Sequence, residues 1–414
     1  MNSYQVGTSA SRTVSVPICF PLAGDIPVGG GHVSVLLLIQ NLDRRRFRPI
    51  IAVHGDGPVR RWLEEQGVAH EIESLATCVR DRHRVRMGDV ALICRRSWGL
   101  ARFLRARKVE IVHVNDTIML GTWALAARLA GAKLLWHKRG PWTDRWLHRW
   151  WFRFVDHVIA ISRFAAPPLP SPKCSIIYNA AGPQQQTSDR AASRRHLLSE
   201  TGLPASTKIL GFFADIDKER KRPAVFLDII AQVQEKSPQL RVAGLLFGQA
   251  SSATQLHLRA HAESLGIADR IRFMGFRYPP GPCIAGCDLL IVPSVGEGFG
   301  RTLIEAMMLG TIAVAADSGG HREIIKHGET GFLVPADDVQ AFAEHVRRLL
   351  ECPDEAAALA RRSRKDALDR FGTRRHAQSV INVYDALLAA DKRLPEAAAL
   401  LNGGRRGGCA ARRS

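Results

Sequence analysis

The chain has 414 residues, enough for two domains with full cores, and carries a formal net charge of +19. Its 46% hydrophobic content excludes a disordered chain, and no apolar run approaches the length of a membrane span. Residues 1–180 hold 26 Lys/Arg against 13 Asp/Glu, so most of the excess charge lies in the first half and implies anionic partners there: nucleic acid, an anionic membrane surface or a phosphate-bearing acceptor.

Val14 to Phe20 reads as a first strand, and with only Arg12 before it the segment is weak as a signal peptide. Residues 21–31 form a Gly-rich loop that opens a helix over His32 to Leu42. A loop such as Gly29-Gly30-Gly31, between strand and helix, suits either a phosphate or a plain turn. Pro49 to Val53 is the next strand. His54-Gly55-Asp56 follows it, a poor match to the acidic residue that an NAD site wants at the end of that strand. A helix near Val59 to Gln66 leads to a basic connection over residues 74–89 and a helix from Val90 to Ala106. Ile111 to Val114 (strand), Thr122 to Leu129 (helix) and Lys133 to His137 (strand) continue the alternation. His137 ends its strand, where open α/β sheets bind ligands; Lys138 and Arg139 beside it suit an anionic acceptor. A helix over Arg145 to Phe154 combines Trp residues with Arg145, Arg149 and Arg153 on one side. It suits an anionic bilayer or ordinary packing on the sheet. His157 to Ile161 and Ser175 to Tyr178 are two further strands.

Residues 181–207 are polar and read as a linker entering a helix. Ile209 to Phe213 begins a second series of βα units that runs to about residue 371, and a final helix covers residues 374–390. Within this series Asp288 to Val292 is a buried strand, residues 294–300 a Ser/Gly loop, Thr302 to Leu309 a helix ended by Gly310, and Ile312 to Ala316 another buried strand. The loop and helix start carry the chemistry. Helix N-termini present unpaired N–H groups and a positive partial charge, so they bind phosphate. Gly298 and Gly300 let backbone approach a ligand. Glu297 and Glu305 are carboxylates able to accept hydrogen bonds from vicinal hydroxyls. A pyrophosphate flanked by two polyhydroxylated rings, a nucleotide-sugar, satisfies all three features. The eight cysteines are scattered, with only Cys283 and Cys287 close together and no metal-site spacing; this points to a reducing, cytoplasmic setting.

These residues resemble glycosyltransferase family 4, the group 1 retaining enzymes of GT-B fold. The resemblance rests on Pro293-Ser294, Glu297-Gly298-Phe299-Gly300, Glu305-Ala306-Met307, Gly319-Gly320-His321-Arg322-Glu323 and Gly331-Phe332-Leu333-Val334. It extends more loosely over most of residues 14–390. It implies an α/β architecture with two Rossmann-like domains facing each other across a cleft. The implied limits are an acceptor domain over 1–182, a linker over 183–207 and a nucleotide-sugar domain over 208–372. A helix over 373–392 then returns to the first domain, and a disordered basic tail fills 393–414. It also implies roles by position. Glu305 holds the ribose, and Glu297 with the amides of Phe299 and Gly300 holds the donor sugar. The amides of Thr302 and Leu303 meet the distal phosphate, and the loop at Gly30 and Gly31 faces the phosphates. Lys221 lies on the pyrophosphate, and His137 hydrogen-bonds a sugar hydroxyl beside the reacting carbon. The chain departs from the family at about Asp215, where an Arg is usual; Lys218, Arg220 and Arg222 are candidates to replace that charge.

The expected activity is transfer of a sugar, with retention and with no metal or other cofactor, from a nucleoside-diphosphate sugar to a hydroxyl of a glycan or lipid-linked acceptor. Cell-surface polysaccharide or glycolipid synthesis is the expected setting, with the protein cytoplasmic or peripheral on the inner face of the cell membrane. Alternatives are a binding or scaffold protein with a degenerate donor site, which Asp215 favours, and an epimerase or phosphorylase on the same fold. Nucleic-acid binding rests on charge alone and lacks a specific motif.

Overall fold

Short apolar runs alternate with helical stretches along the chain, and they assemble into two sheets. The computed structural model describes residues 15–68, 71–73, 87–142, 152–168, 171–182 and 189–403. The first sheet is built from β1 (Val16–Ala23), β2 (Phe47–His54), β3 (Glu71–Glu73), β4 (Ile111–Val114), β5 (Lys133–Lys138), β6 (His157–Ala160) and β7 (Cys174–Ile176). Its order is β3-β2-β1-β4-β5-β6-β7, and β1 pairs in parallel with both β2 and β4. The connecting helices are α1 (Gly30–Gln40), α2 (Pro58–Glu65), α3 (Met87–Ala106) and α4 (Thr117–Ala130).

After α5 (Arg190–Thr201) the second series starts: β8 (Lys208–Phe213), α6 (Pro223–Lys236), β9 (Val242–Phe247), α7 (Ser252–Ser264), β10 (Ile271–Gly275), α8 (Gly281–Gly286) and β11 (Leu289–Val292). It continues through α9 (Arg301–Leu309), β12 (Ile312–Ala316), α10 (His321–Ile324), β13 (Phe332–Val334), α11 (Val339–Glu351), α12 (Pro353–Phe371) and α13 (Thr373–Gly403). The sheet order is β10-β9-β8-β11-β12-β13. Its strands are buried on both faces, with period two. Leu289, Ile291, Ile312 and Val314 join one core cluster, with Phe226, Ile230 and Phe342 from the helices. Leu290, Ala313 and Ala315 join the other, with Leu303, Met307 and Phe371.

Both strand orders reverse beside the first strand of the series, between β1 and β4 and between β8 and β11. Loops that leave the carboxyl ends of strands on either side of such a reversal diverge and leave a crevice for ligands. The loops after β1, β8 and β11 are the ones that carry Gly29–Gly31, Lys221 and Glu297.

The described residues divide into two compact units. One comprises those within Met1–His137, Arg145–Val158 and Ser379–Ser414; the other comprises those within Lys138–Asp144 and Ile159–Gln378. No helix among the described residues is long and apolar enough to cross a membrane.

Three sequence expectations change. The helix expected from Thr122 starts at Thr117, because Asp116 caps it by accepting the Met119 amide at 2.7 Å. The last helix runs on to Gly403, so residues 393–403 are helical where a disordered tail was expected; Glu396 to Leu401 are good helix formers. The basic Trp-rich segment, at residues 143–151, and most of the connection over 74–89 lie outside the described residues. Asp116→Ala should cost ~1 kcal/mol of stability in a urea titration of the whole chain. An unchanged midpoint would show that the cap contributes nothing to this helix.

Candidate active site

In the second unit the loops after β8 and β11 are joined by backbone and by charge. The β8 loop ends in a single 3-10 turn over Glu219–Lys221, and the Val295 amide donates to Arg220 O at 2.9 Å. The turn delivers two cations to one oxygen: Lys221 Nζ lies 2.5 Å and Arg220 Nη1 2.7 Å from Glu297 Oε1. Burial raises the Glu297 carboxyl, but Lys221 and then Arg220 outweigh it, and the net shift is below its ordinary value. Lys218 turns to Asp215 at 3.8 Å, and Arg222 reaches Ala336 O and Asp337. Of the three cations that the sequence offers in place of the expected Arg, the fold brings Arg220 to the site.

A second turn supports the Glu297 loop. Gly320 donates its amide to Glu297 O at 2.9 Å, and Ser318 Oγ accepts the Gly296 amide at 3.1 Å. The approach is close enough to exclude a side chain, since a Cβ on Gly320 would stand 2.6 Å from Phe299 Cα and 2.7 Å from Gly298 O. The Gly-Gly pair is therefore needed for backbone packing, one step behind the ligand surface. Ser162 Oγ donates to Gly298 O at 2.5 Å from the other side. Glu323 accepts the amides of Arg163 and Phe164 at 2.8 and 3.0 Å, which ties the same segments together.

Gly300, at φ 118°, caps α9 in the left-handed region that favours glycine. Among the described residues no protein acceptor takes the amides of Phe299, Gly300 and Thr302. The Leu303 amide donates to Gly300 O at 3.1 Å. The Phe299 ring is buried and stacks on Tyr178 at 5.5 Å, which fixes the loop from beneath. Glu305, one turn into α9, is 4% exposed, and its Oε1 pairs with Arg301 at 2.7 Å. His321 donates from Nδ1 to Ala316 O at 2.9 Å, and its ring lies against Gly300.

In the first unit, Gly29 caps α1 and donates its amide to His32 Nδ1 at 3.0 Å; Gly30 and Gly31 form the first turn of that helix. His137 does not end its strand, because β5 continues through Lys138. Its ring is fully buried and lies 3.1 Å from His113 Nε2. Lys138, with which the second unit's segment Lys138–Asp144 begins, is also buried. Its ammonium donates to Gly140 O at 2.9 Å and Pro141 O at 2.6 Å, and burial pushes its pKa down to about 8. Arg139 donates to Asn179 Oδ1 at 2.8 Å. In this conformation both side chains anchor the chain after β5.

The sequence matches two family models: Glycosyl transferases group 1 over residues 193–366, and Glycosyltransferase Family 4 over residues 28–181. A D-inositol 3-phosphate glycosyltransferase of Corynebacterium jeikeium is 31% identical over 212 residues, 50% of this chain and 49% of that one. The lipopolysaccharide core biosynthesis mannosyltransferase LpsB of Rhizobium meliloti is 27% identical over 58% of this chain and 70% of its own. The chain thus spans about half the length of the first of these relatives. Among solved structures, Anabaena HepE in complex with UDP and glucose superposes with a TM-score of 0.75 at 21% identity, covering 90% of this chain and all of that one.

The two cations on Glu297 give a pH signature. Its folded value is depressed, so the stabilisation is present above 4.5, the ordinary carboxyl value, and is lost as pH falls through the folded value. Carboxyl NMR should find Glu297 titrating below 4.5 in the native chain and higher than that native value in Lys221→Met, which loses one of the two cations that lower it. Identical titrations in the two proteins would remove the ion pair from the account.

Proposed function

We propose that this chain, which belongs to the group 1 glycosyltransferases of family 4 and has their GT-B fold, transfers a sugar from a nucleoside-diphosphate sugar to an acceptor hydroxyl. The observation that carries the reading is the start of α9. There, three backbone N–H groups that have no protein acceptor among the described residues lie beside a carboxylate held by two cations. A diphosphate supplies the missing acceptors and the negative charge.

In this reading the diphosphate lies on the amides of Phe299, Gly300 and Thr302, and Lys221 and Arg220 turn from Glu297 to the phosphates. The freed Glu297 carboxylate accepts hydroxyls of the donor sugar. Glu305, already oriented by Arg301, accepts the ribose hydroxyls with its remaining oxygen. The site's task is electrostatic: fixed donors and cations stabilise the charge that develops on the departing diphosphate. Retention follows if the acceptor arrives on the face from which the diphosphate leaves and a phosphate oxygen takes its proton, with no metal required. HepE, crystallised with UDP and glucose, supports a uridine diphosphate donor, and LpsB supports an acceptor in cell-surface polysaccharide or glycolipid synthesis. A scaffold with a degenerate donor site was suggested by Asp215; Arg220 beside Lys221 supplies the charge whose loss motivated it.

Calorimetric titration with a panel of nucleoside diphosphates and their sugars tests the reading. Glu305→Ala should weaken the donor that binds by ~10- to 100-fold, the cost of leaving buried polar groups unpaired. Full affinity in that variant would sink the ribose assignment. Failure of the native chain to bind or turn over any nucleotide-sugar would sink the enzyme.

A further inference from the structure

The second unit buries a histidine against the start of α9 that the donor reading leaves unused. His321 opens α10, directly after Gly319 and Gly320, and is fully buried. Its Nδ1 lies 2.9 Å from the carbonyl oxygen of Ala316, the last residue of β12. A carbonyl only accepts, so Nδ1 carries the proton and the neutral ring keeps a lone pair on Nε2. Among the described residues Nε2 has no hydrogen-bond partner. This edge of the ring faces Gly300: a Cβ at that position would stand 3.1 Å from Cδ2 and 3.5 Å from Nε2. The glycine that caps α9 therefore also makes room for the imidazole. Gly300 is one of the three residues whose amides have no protein acceptor among the described residues.

The surroundings hold the ring neutral. Burial is the largest influence, and the net effect is a pKa below the ordinary 6.5. The Ala316 bond and the carboxylates of Glu297 and Asp317 pull upward, while Lys221 pushes down. From α9, Arg301 and Glu305 are paired with each other at 2.7 Å. On α10, Arg322 pairs with Asp317 at 2.6 Å, and Glu323 accepts the amides of Arg163 and Phe164. Two changes on ligand binding act on the ring in the same direction. A diphosphate brings negative charge to the Gly300 amide, and Glu297 loses the two cations that neutralise it.

We propose that His321 is a positioning residue that takes a proton from solvent onto Nε2 when a diphosphate binds the α9 amides, and that the imidazolium, acting through Gly300, holds the diphosphate charge in place. The ring needs no contact with the ligand. This rests on the diphosphate placement proposed above. Binding then raises the imidazole's pKa, so affinity rises as pH falls through the bound value and levels off below the free value, which lies under 6.5.

The test uses the full chain with 13C and 15N in its histidine rings, and calorimetry in two buffers of different ionisation heat. The probes are UDP, GDP and ADP with their glucose derivatives. His321→Asn identifies the His321 signal; it removes the titrating group and keeps a donor for Ala316 O. The free native ring should be neutral at pH 7 with its proton on Nδ1, and should titrate at higher pH with a probe bound. The native chain should take up more protons per ligand than His321→Asn, since the ligand's own titration is common to both. Its affinity for the nucleotide-sugar should rise by up to ~10-fold per pH unit across the window between the two values, as linkage to one proton requires, and His321→Asn should lack that slope. Should His321→Asn fail to fold, His321→Gln serves for the same comparisons. Binding that perturbs the amides of Phe299, Gly300 and Thr302 while His321 titrates unchanged overturns the proposal and leaves the diphosphate placement standing. Binding that leaves those amides unperturbed, or no binding of any probe, overturns both.

Discussion

The contact of Lys221 and Arg220 with a single carboxylate oxygen of Glu297 sets the geometry of the second unit's site. A buried carboxylate is costly without partners, and two cations beside it would repel each other without a shared anion. Each side therefore holds the other in place, and the loops after β8 and β11 are drawn to one point. An incoming diphosphate can take over the anion's part, so the same contact both orders the loops and defines the charge that the site will accept.

The rest of the site follows from that constraint. The loop that carries Glu297 must approach the turn at Gly319 and Gly320 to within hydrogen-bond distance of backbone, which no residue with a Cβ at position 320 allows. Ser162 and Glu323 then brace the loop and its neighbours, and Phe299 anchors it in the core. With the loop fixed, Gly300 can take its left-handed conformation and open α9.

Much of this was legible in the sequence because period and punctuation are local signals. DLLIV before Pro293, the Ser/Gly loop and the helix formers up to Gly310 correctly give strand, loop and helix, with limits within one residue of β11 and α9. The roles of long-range partners were not legible. Arg220 was one of three equivalent cations until a 3-10 turn chose it. Lys138 looked available because it is charged, yet its ammonium closes a turn on Gly140 and Pro141. His113 lies 24 positions from His137, and no spacing rule connects them. The cap at Asp116 was readable from its position before Thr117 and was missed because the apolar pattern alone set the helix start.

The central claim is that a nucleoside diphosphate lies on the amides at the start of α9. Hydrogen–deuterium exchange of the full chain, with and without a saturating nucleoside diphosphate, measures those amides directly. The account predicts that Phe299, Gly300 and Thr302 become protected on binding and that Lys221→Ala at the same concentration shows much less protection. Bound nucleotide with exchange at these three amides unchanged would contradict it.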